Sequence, residues 1–338
     1  MRYIVIGAGA VGGSIGARLF EAGQDVVLVA RGPHLTALRS TGLVFLTPAG
    51  TATLPIPAVA GPTELTLQPD DILLLAVKLQ DSAAVLDQWA GQPVQGGRTA
   101  GEDLPLFCVQ NGVEGERLAL RRFVRVYGMC VMLAASHLEP GQILANFQPV
   151  TGILTIGRYP AGIDDVCRRV SADLAAANFL APTSELVMRW KYTKLLANLG
   201  NAVEAIVGPT DDAAELHHRA RAEGRSVFAA AGIDYASEQE DAVARKDLRF
   251  DDLPGHSRGG GSSWQSITRG ARSIETDYLA GEIVLLGRPH GVPTPVNATL
   301  QQIANNHARQ GISPGEMTVL ELTRLVNLVA ANQLSRSR

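Results

Sequence analysis

Apolar positions along this chain change their spacing near its middle. In the first half, short apolar runs alternate with helical patterns; beyond about Leu186 the runs give way to long amphipathic ones. Arg2–Ile6 (RYIVI) predicts a buried strand, a helical pattern follows and ends at Gly23 as a C-cap, and Asp25–Ala30 (DVVLVA) predicts the next strand. Leu43–Leu54 and its Pro/Gly-rich sequel predict a β-rich excursion or hairpin. Asp71–Val77 (DILLLAV) is apolar from Ile72 onward, which places a strand at a sheet centre, buried on both faces. Leu104–Gln110, Val124–Ser136 and Gly152–Arg158 read as further strands with an antiparallel portion, and Asp164–Ala177 as a helix. Such alternation predicts an α/β Rossmann-type domain with a mainly parallel sheet, over residues 1–185. The patterns Leu186–Val207, Ala213–Ala231, Ser266–Gly287 and Thr294–Gln310 predict an all-α domain over 186–338. Phe250–Ser263 (FDDLPGHSRGGGSS) interrupts it as a flexible loop, suited to closing over a substrate.

The turn after the first strand carries chemistry. Gly7-Ala8-Gly9-Ala10-Val11-Gly12 is a G-x-G-x-x-G in strand–turn–helix–strand context. In such a unit Gly7 allows the tight turn, Gly9 lets the backbone approach a pyrophosphate, and Gly12 lets helix and sheet pack closely. The free amides at the helix start then hold the phosphates. The second strand closes on Ala30-Arg31-Gly32, where an NAD site wants an acid to accept from the ribose 2′-hydroxyl. Arginine cannot accept that bond but pairs well with a 2′-phosphate, so the cofactor expected is NADP(H). The plainer reading of Arg31 is a surface charge at a strand end.

Composition narrows the function class. At 338 residues the length suits two domains with their own cores. A net charge of −3 and 5% aromatic residues argue against nucleic-acid or anionic-membrane binding. Cys108, Cys130 and Cys167 are widely spaced, form no metal or C-x-x-C pattern, and fit a reducing cytoplasm. No apolar run is long enough to span a bilayer. Arg2 and its apolar run superficially resemble a signal peptide, but the glycine spacing assigns them to the nucleotide fold. A homodimer stays open.

Polar residues follow two of the apolar strands, at Lys78 and at Asn111-Gly112, where ligands sit in doubly wound sheets. Lys78 is suited to phosphates or ribose, and Asn111 to substrate or nicotinamide ribose; a solvated lysine and a tight turn are the plainer readings. In the second half, Lys194 and Asn198 share a helical face at i,i+4, with Lys191 a turn earlier and Asn201 a turn later. Ser263 is placed to cap a helix over Trp264–Gly281. Glu275 then lies twelve residues on, but Asp277 and Glu282 are also acidic, and spacing alone does not choose among them.

Together these residues resemble the ketopantoate reductase (2-dehydropantoate 2-reductase) family over nearly the whole chain. The resemblance rests on GAGAVG, the ARG after the second strand, Val77-Lys78, and Gln110-Asn111-Gly112. It continues in K-L-L-A-N at Lys194–Asn198, Ser262-Ser263, and E-T-D-Y-L-A-G at Glu275–Gly281. The family has a lysine four residues before an asparagine and a serine twelve before a glutamate, which selects Lys194 over Lys191 and Glu275 over its acidic neighbours. It implies an NADPH-binding Rossmann domain, a helical domain of the 6-phosphogluconate dehydrogenase C-terminal type, and reduction of ketopantoate to pantoate for pantothenate and coenzyme A. Carried over, Lys194 and Glu275 are catalytic, Asn111, Asn198 and Ser263 bind substrate, and Gly7–Gly12, Arg31, Lys78, Gln80, Asn111 and Glu275 contact the cofactor.

Two positions depart from members acting on ketopantoate. A second asparagine, eight residues after the lysine, is Ala202 here, although Asn201 is adjacent; an aspartate three after the serine is Ser266. The resemblance gives those positions to the far hydroxyl of ketopantoate, so a paralogue acting on another 2-oxo acid is the alternative. A non-catalytic NADP(H)-binding sensor is a third reading, against which the Lys194/Glu275 pair argues.

Overall fold

The computed structural model describes residues 1–253, 255 and 259–336, and divides into two compact units. The first comprises Met1–Lys191 and Ser237–Arg258, the second Tyr192–Ala236 and Gly259–Arg338.

The first unit is built on a seven-stranded sheet. Its strands run in the order Ile153–Arg158, Arg125–Met132, Pro105–Cys108, Asp71–Leu75, Arg2–Ile6, Asp25–Val29, Ala58–Val59. All neighbours are parallel except the first pair, which is the expected antiparallel portion. Asp71–Leu75 is the middle strand and is wholly buried: Ile72–Leu75 as their apolar run requires, and Asp71 because Arg2 donates to its carboxylate at 2.9 and 2.7 Å. Alternate residues feed two cores: Tyr3, Val5, Leu28, Leu74 and Phe107 on one face, Ile4, Ile6, Leu73, Leu75 and Leu106 on the other. The Leu43–Thr47/Gly50–Leu54 hairpin is present and extends into a four-stranded sheet with Gln142–Ala145 and Ala135–Ser136. A helix over Asp165–Ala176 starts at Asp164, whose carboxylate accepts from the Cys167 amide.

Among the described residues the second unit is helical throughout. Helices Gly200–Val207, Ala214–Ala231, Ala280–Gly287, Pro295–Gln310 and Val319–Arg336 bury Val203, Ile206, Phe228, Ile283, Leu300 and Val326. Packing is close: a Cβ at Gly224 would meet Leu196 Cδ2 at 2.5 Å. The Glu223 carboxylate accepts from the Val296 and Asn297 amides, closing the start of the Pro295–Gln310 helix.

Three expectations are corrected. The second half is not one unit from residue 186: Ser237–Arg258 belongs with the first. Backbone pairing takes it there, because Arg249–Phe250 pairs with Phe147–Gln148 and Asn146 Nδ2 donates to Asp251 O at 2.9 Å. The helix expected over Trp264–Gly281 is three pieces, Ser262–Thr268, a 3-10 turn Glu275–Tyr278, and the start of the helix Ala280–Gly287. Gly270, at φ +79°, ends the first: its amide donates to Ile267 O and that of Ala271 to Ser266 O, a Schellman stop. Ser263 is not the N-cap either, since Gly261 holds that position and Ser263 lies inside the first turn. Of the loop expected over Phe250–Ser263, Pro254 and His256, Ser257 and Arg258 lie outside the described residues.

The Lys191 ammonium bonds Glu116, with both side chains almost fully buried in the first unit. Burial pushes the Glu116 carboxyl up and Lys191 pulls it back. Lys191→Met strands that carboxylate, at an expected cost of about 3–5 kcal/mol near neutral pH. The loss shrinks as pH falls toward 4.5, the ordinary carboxyl value, because a protonated carboxyl is cheaper to bury. Lys191→Met/Glu116→Leu is expected to recover most of it. Urea unfolding midpoints check this; a double variant no better than the single contradicts it.

Candidate functional site

Each glycine of the turn has its own geometric reason. We call Arg2–Ile6 β1, Ala10–Glu21 α1 and Asp25–Val29 β2. Gly7 has φ +107°, and a Cβ there would lie 2.8 Å from Val77 N. A Cβ at Gly12 would lie 2.1 Å from Gly7 O and 2.9 Å from Val5 Cγ1, so α1 can approach β1 only over a glycine. A Cβ at Gly9, by contrast, would meet nothing within 4 Å. Gly9 is the N-cap of α1, which has no side-chain cap and no acid in its first turn. The unoccluded space beside Gly9 and the first-turn amides of Ala10, Val11 and Gly12 suit an anionic ligand such as a diphosphate.

The turn is fixed from behind. Gly7 and Ala8 amides both donate to Val29 O, at 3.1 and 3.0 Å. Ala8 is buried, and its carbonyl oxygen lies 2.8 Å from His34 Nε2. His34 was not marked by any sequence motif; its only signal is a position three residues after Arg31, at the start of the Gly32–Ser40 helix.

The neighbouring strand ends carry the other candidates of the first unit. Arg31 is the N-cap of Gly32–Ser40, its side chain 87% exposed and 3.5 Å from Asp81 Oδ2. A pair so exposed and long contributes little to stability, which leaves the guanidinium available to a ligand. Lys78 is half-buried at the start of the 3-10 turn Leu79–Asp81. Gln80 Oε1 is buried with no hydrogen-bond partner among the described residues. Gln110 has a fastening role: its Nε2 donates to Val77 O at 2.7 Å and Ser82 Oγ at 2.6 Å, joining two strand ends. Half-buried Asn111 follows, then Gly112 at φ +78°.

The remaining candidates belong to the second unit. Lys194 and Asn198 lie on the Val187–Asn198 helix, Lys194 half-buried and Asn198 7% exposed. Ser263 is brought to the neighbouring helix Gly200–Val207 by two bonds: Gly261 N donates to Glu204 Oε2 at 2.6 Å, and Asn201 Nδ2 to Ser262 Oγ at 3.3 Å. Asn198 Nδ2 and Ser263 Oγ are both buried without a hydrogen-bond partner among the described residues. Leaving such groups unmade is costly in a folded protein unless a ligand completes them. Glu275 is buried where its 3-10 turn begins, while Asp277 accepts from Gln301 and Asn305. Asp277 is thus spoken for by the fold. Ala202 is buried, and Ser266 Oγ donates to Ser262 O at 2.9 Å within its own helix. Lys191, the rival of Lys194, is committed to Glu116.

The sequence matches the family models described as "Ketopantoate reductase PanE/ApbA" over residues 3–161 and "Ketopantoate reductase PanE/ApbA C terminal" over 186–308. It is 26% identical to the 2-dehydropantoate 2-reductase of Pyrococcus abyssi over 308 residues, which cover 89% of this chain and 95% of that protein. Among solved structures, a PanE/ApbA family ketopantoate reductase from Ralstonia eutropha JMP134 superposes with a TM-score of 0.74 at 26% identity, covering 92% of this chain and 99% of the other. A D-mandelate dehydrogenase solved with NADH and anilino(oxo)acetate shares the fold at a TM-score of 0.76 and 20% identity, covering 92% of this chain and 99% of its own.

Proposed function

Because the chain belongs to the ketopantoate reductase family, an oxidoreductase family, we propose that it reduces ketopantoate to pantoate with NADPH. The observation that carries this reading is the glycine turn, with two glycines that no other residue replaces and a third facing open space at an uncapped helix start. Arg31 at the end of β2, where an acid would serve NAD, supports NADP(H). Lys78, Gln80 and Asn111 are the further cofactor contacts of this reading.

The bound nicotinamide supplies a hydride to the carbonyl carbon of the 2-oxo acid. Charge then builds on the carbonyl oxygen, and the Lys194 ammonium is the group to stabilise it and donate the proton that completes the alcohol. Glu275, which is buried, is assigned in this reading either to hold that ammonium or to bind the substrate directly. The unpartnered Asn198 Nδ2 and Ser263 Oγ are donors for substrate oxygens, with Asn111 as a third.

A second reading has its own support. At the two positions where the resemblance expects polar groups for the far hydroxyl of ketopantoate, Ala202 is apolar and Ser266 turns its hydroxyl back onto Ser262. A paralogue with the same chemistry on a 2-oxo acid lacking that hydroxyl fits such a pocket.

Two variants test the roles. Lys194→Ala is expected to lower kcat by about 10²–10⁴ while NADPH affinity stays nearly unchanged; near-normal turnover removes the lysine from catalysis. Arg31→Ala is expected to weaken NADPH far more than NADH, measured by titration of both cofactors; equal losses refute the 2′-phosphate role.

A further inference from the structure

The His34 imidazole bridges the glycine turn and the second sheet of the first unit. Gly141 N donates to His34 Nδ1 at 2.8 Å. A backbone N–H can only donate, so Nδ1 holds the lone pair, and the single proton of the neutral ring is on Nε2. Nε2–H therefore donates to Ala8 O, 2.8 Å away. Burial lowers the imidazole pKa, keeping the ring neutral at pH 7, and the His137 ring lies 4.2 Å away between centroids. The far anchor is firm: Gly141 O accepts from Val44 N at 2.8 Å, and a Cβ on Gly141 would lie 2.8 Å from Ala37 Cβ.

The consequence runs through one peptide plane. The Ala8 carbonyl and the Gly9 N–H belong to the same planar trans unit, so they point in opposite directions. Drawing the carbonyl toward His34 aims the Gly9 N–H away from it. Glycine places little restraint on that plane by itself, and a rotated peptide would present a carbonyl oxygen where a donor is needed. We propose that His34 is a positioning residue for the dinucleotide, holding the Ala8–Gly9 peptide so that the Gly9 amide donates to the cofactor diphosphate. This rests on the reading of the glycine turn as the cofactor site. The role differs from that of Arg31: it concerns the diphosphate, which NADPH and NADH share.

Two side-chain amides divide the imidazole between them. His34→Gln carries an NH2 near the position of Nε2 and can keep the bond to Ala8. His34→Asn keeps an acceptor near Nδ1 for Gly141 but reaches no further. Binding of NADPH and NADH to the full-length protein is measured by titration calorimetry. His34→Asn is expected to weaken both cofactors by a similar factor of about ten or more, the scale of one well-placed hydrogen bond. His34→Gln is expected to stay within about threefold of the wild type. Equal binding by all three proteins, or loss in His34→Gln with retention in His34→Asn, overturns the proposal. Wild-type protein that binds neither cofactor overturns the cofactor reading itself, a failure distinct from these. A second measurement needs no variant: imidazole 15N shifts of the wild type should show a protonated Nε2 and a bare Nδ1. A proton on Nδ1 overturns the assignment.

Discussion

The close approach of α1 to β1 is the constraint on which the rest of the first unit depends. A single methyl group at Gly12 would collide with Gly7 O, Ala76 Cβ and Val5 Cγ1 at once. With hydrogen there, α1 starts at the end of β1, its first-turn amides stand uncapped, and Val29 O holds the turn through Gly7 and Ala8. The parallel order of the strands brings the ends of Asp25–Val29, Asp71–Leu75 and Pro105–Cys108 to the same edge. Arg31, Lys78 and Asn111 are therefore ranged beside the turn by topology, although they are far apart in sequence.

The candidate chemistry divides between the two units. The first carries features that suit a dinucleotide: backbone donors, a cation at a strand end, and a turn held from behind. The second carries a half-buried lysine, a buried carboxylate, and two buried polar groups without partners among the described residues. Unmade hydrogen bonds of that kind cost stability, and a ligand completing those of Asn198 and Ser263 would recover it. Lys191 and Asp277 illustrate the contrast, because the fold itself uses up their charges.

Local signals made much of this legible. The β1–α1–β2 unit could be read from apolar runs and glycine spacing, and the central strand from its unbroken DILLLAV run, because both depend on near neighbours. The stop at Gly270 was hidden inside a pattern whose apolar spacing continued past it; only its R-G-A context hinted at a Schellman end. The pairing of Gln142–Ala145 with Leu43–Thr47, and of Arg249–Phe250 with Phe147–Gln148, joins segments about a hundred residues apart, which no window can register. The candidate site residues were named where a motif carried them. Lys194 could be separated from Lys191 only by resemblance, until the structure showed what Lys191 does. His34 lay outside every motif, since its part depends on one carbonyl and one amide brought to it by the fold.

The most direct test of the central claim is NADPH oxidation by the purified protein with ketopantoate beside a panel of other 2-oxo acids. The account predicts turnover with ketopantoate favoured over the other acids by about a hundredfold in kcat/KM, or roughly 2.7 kcal/mol. Tight NADPH binding without oxidation by any of the acids would contradict it.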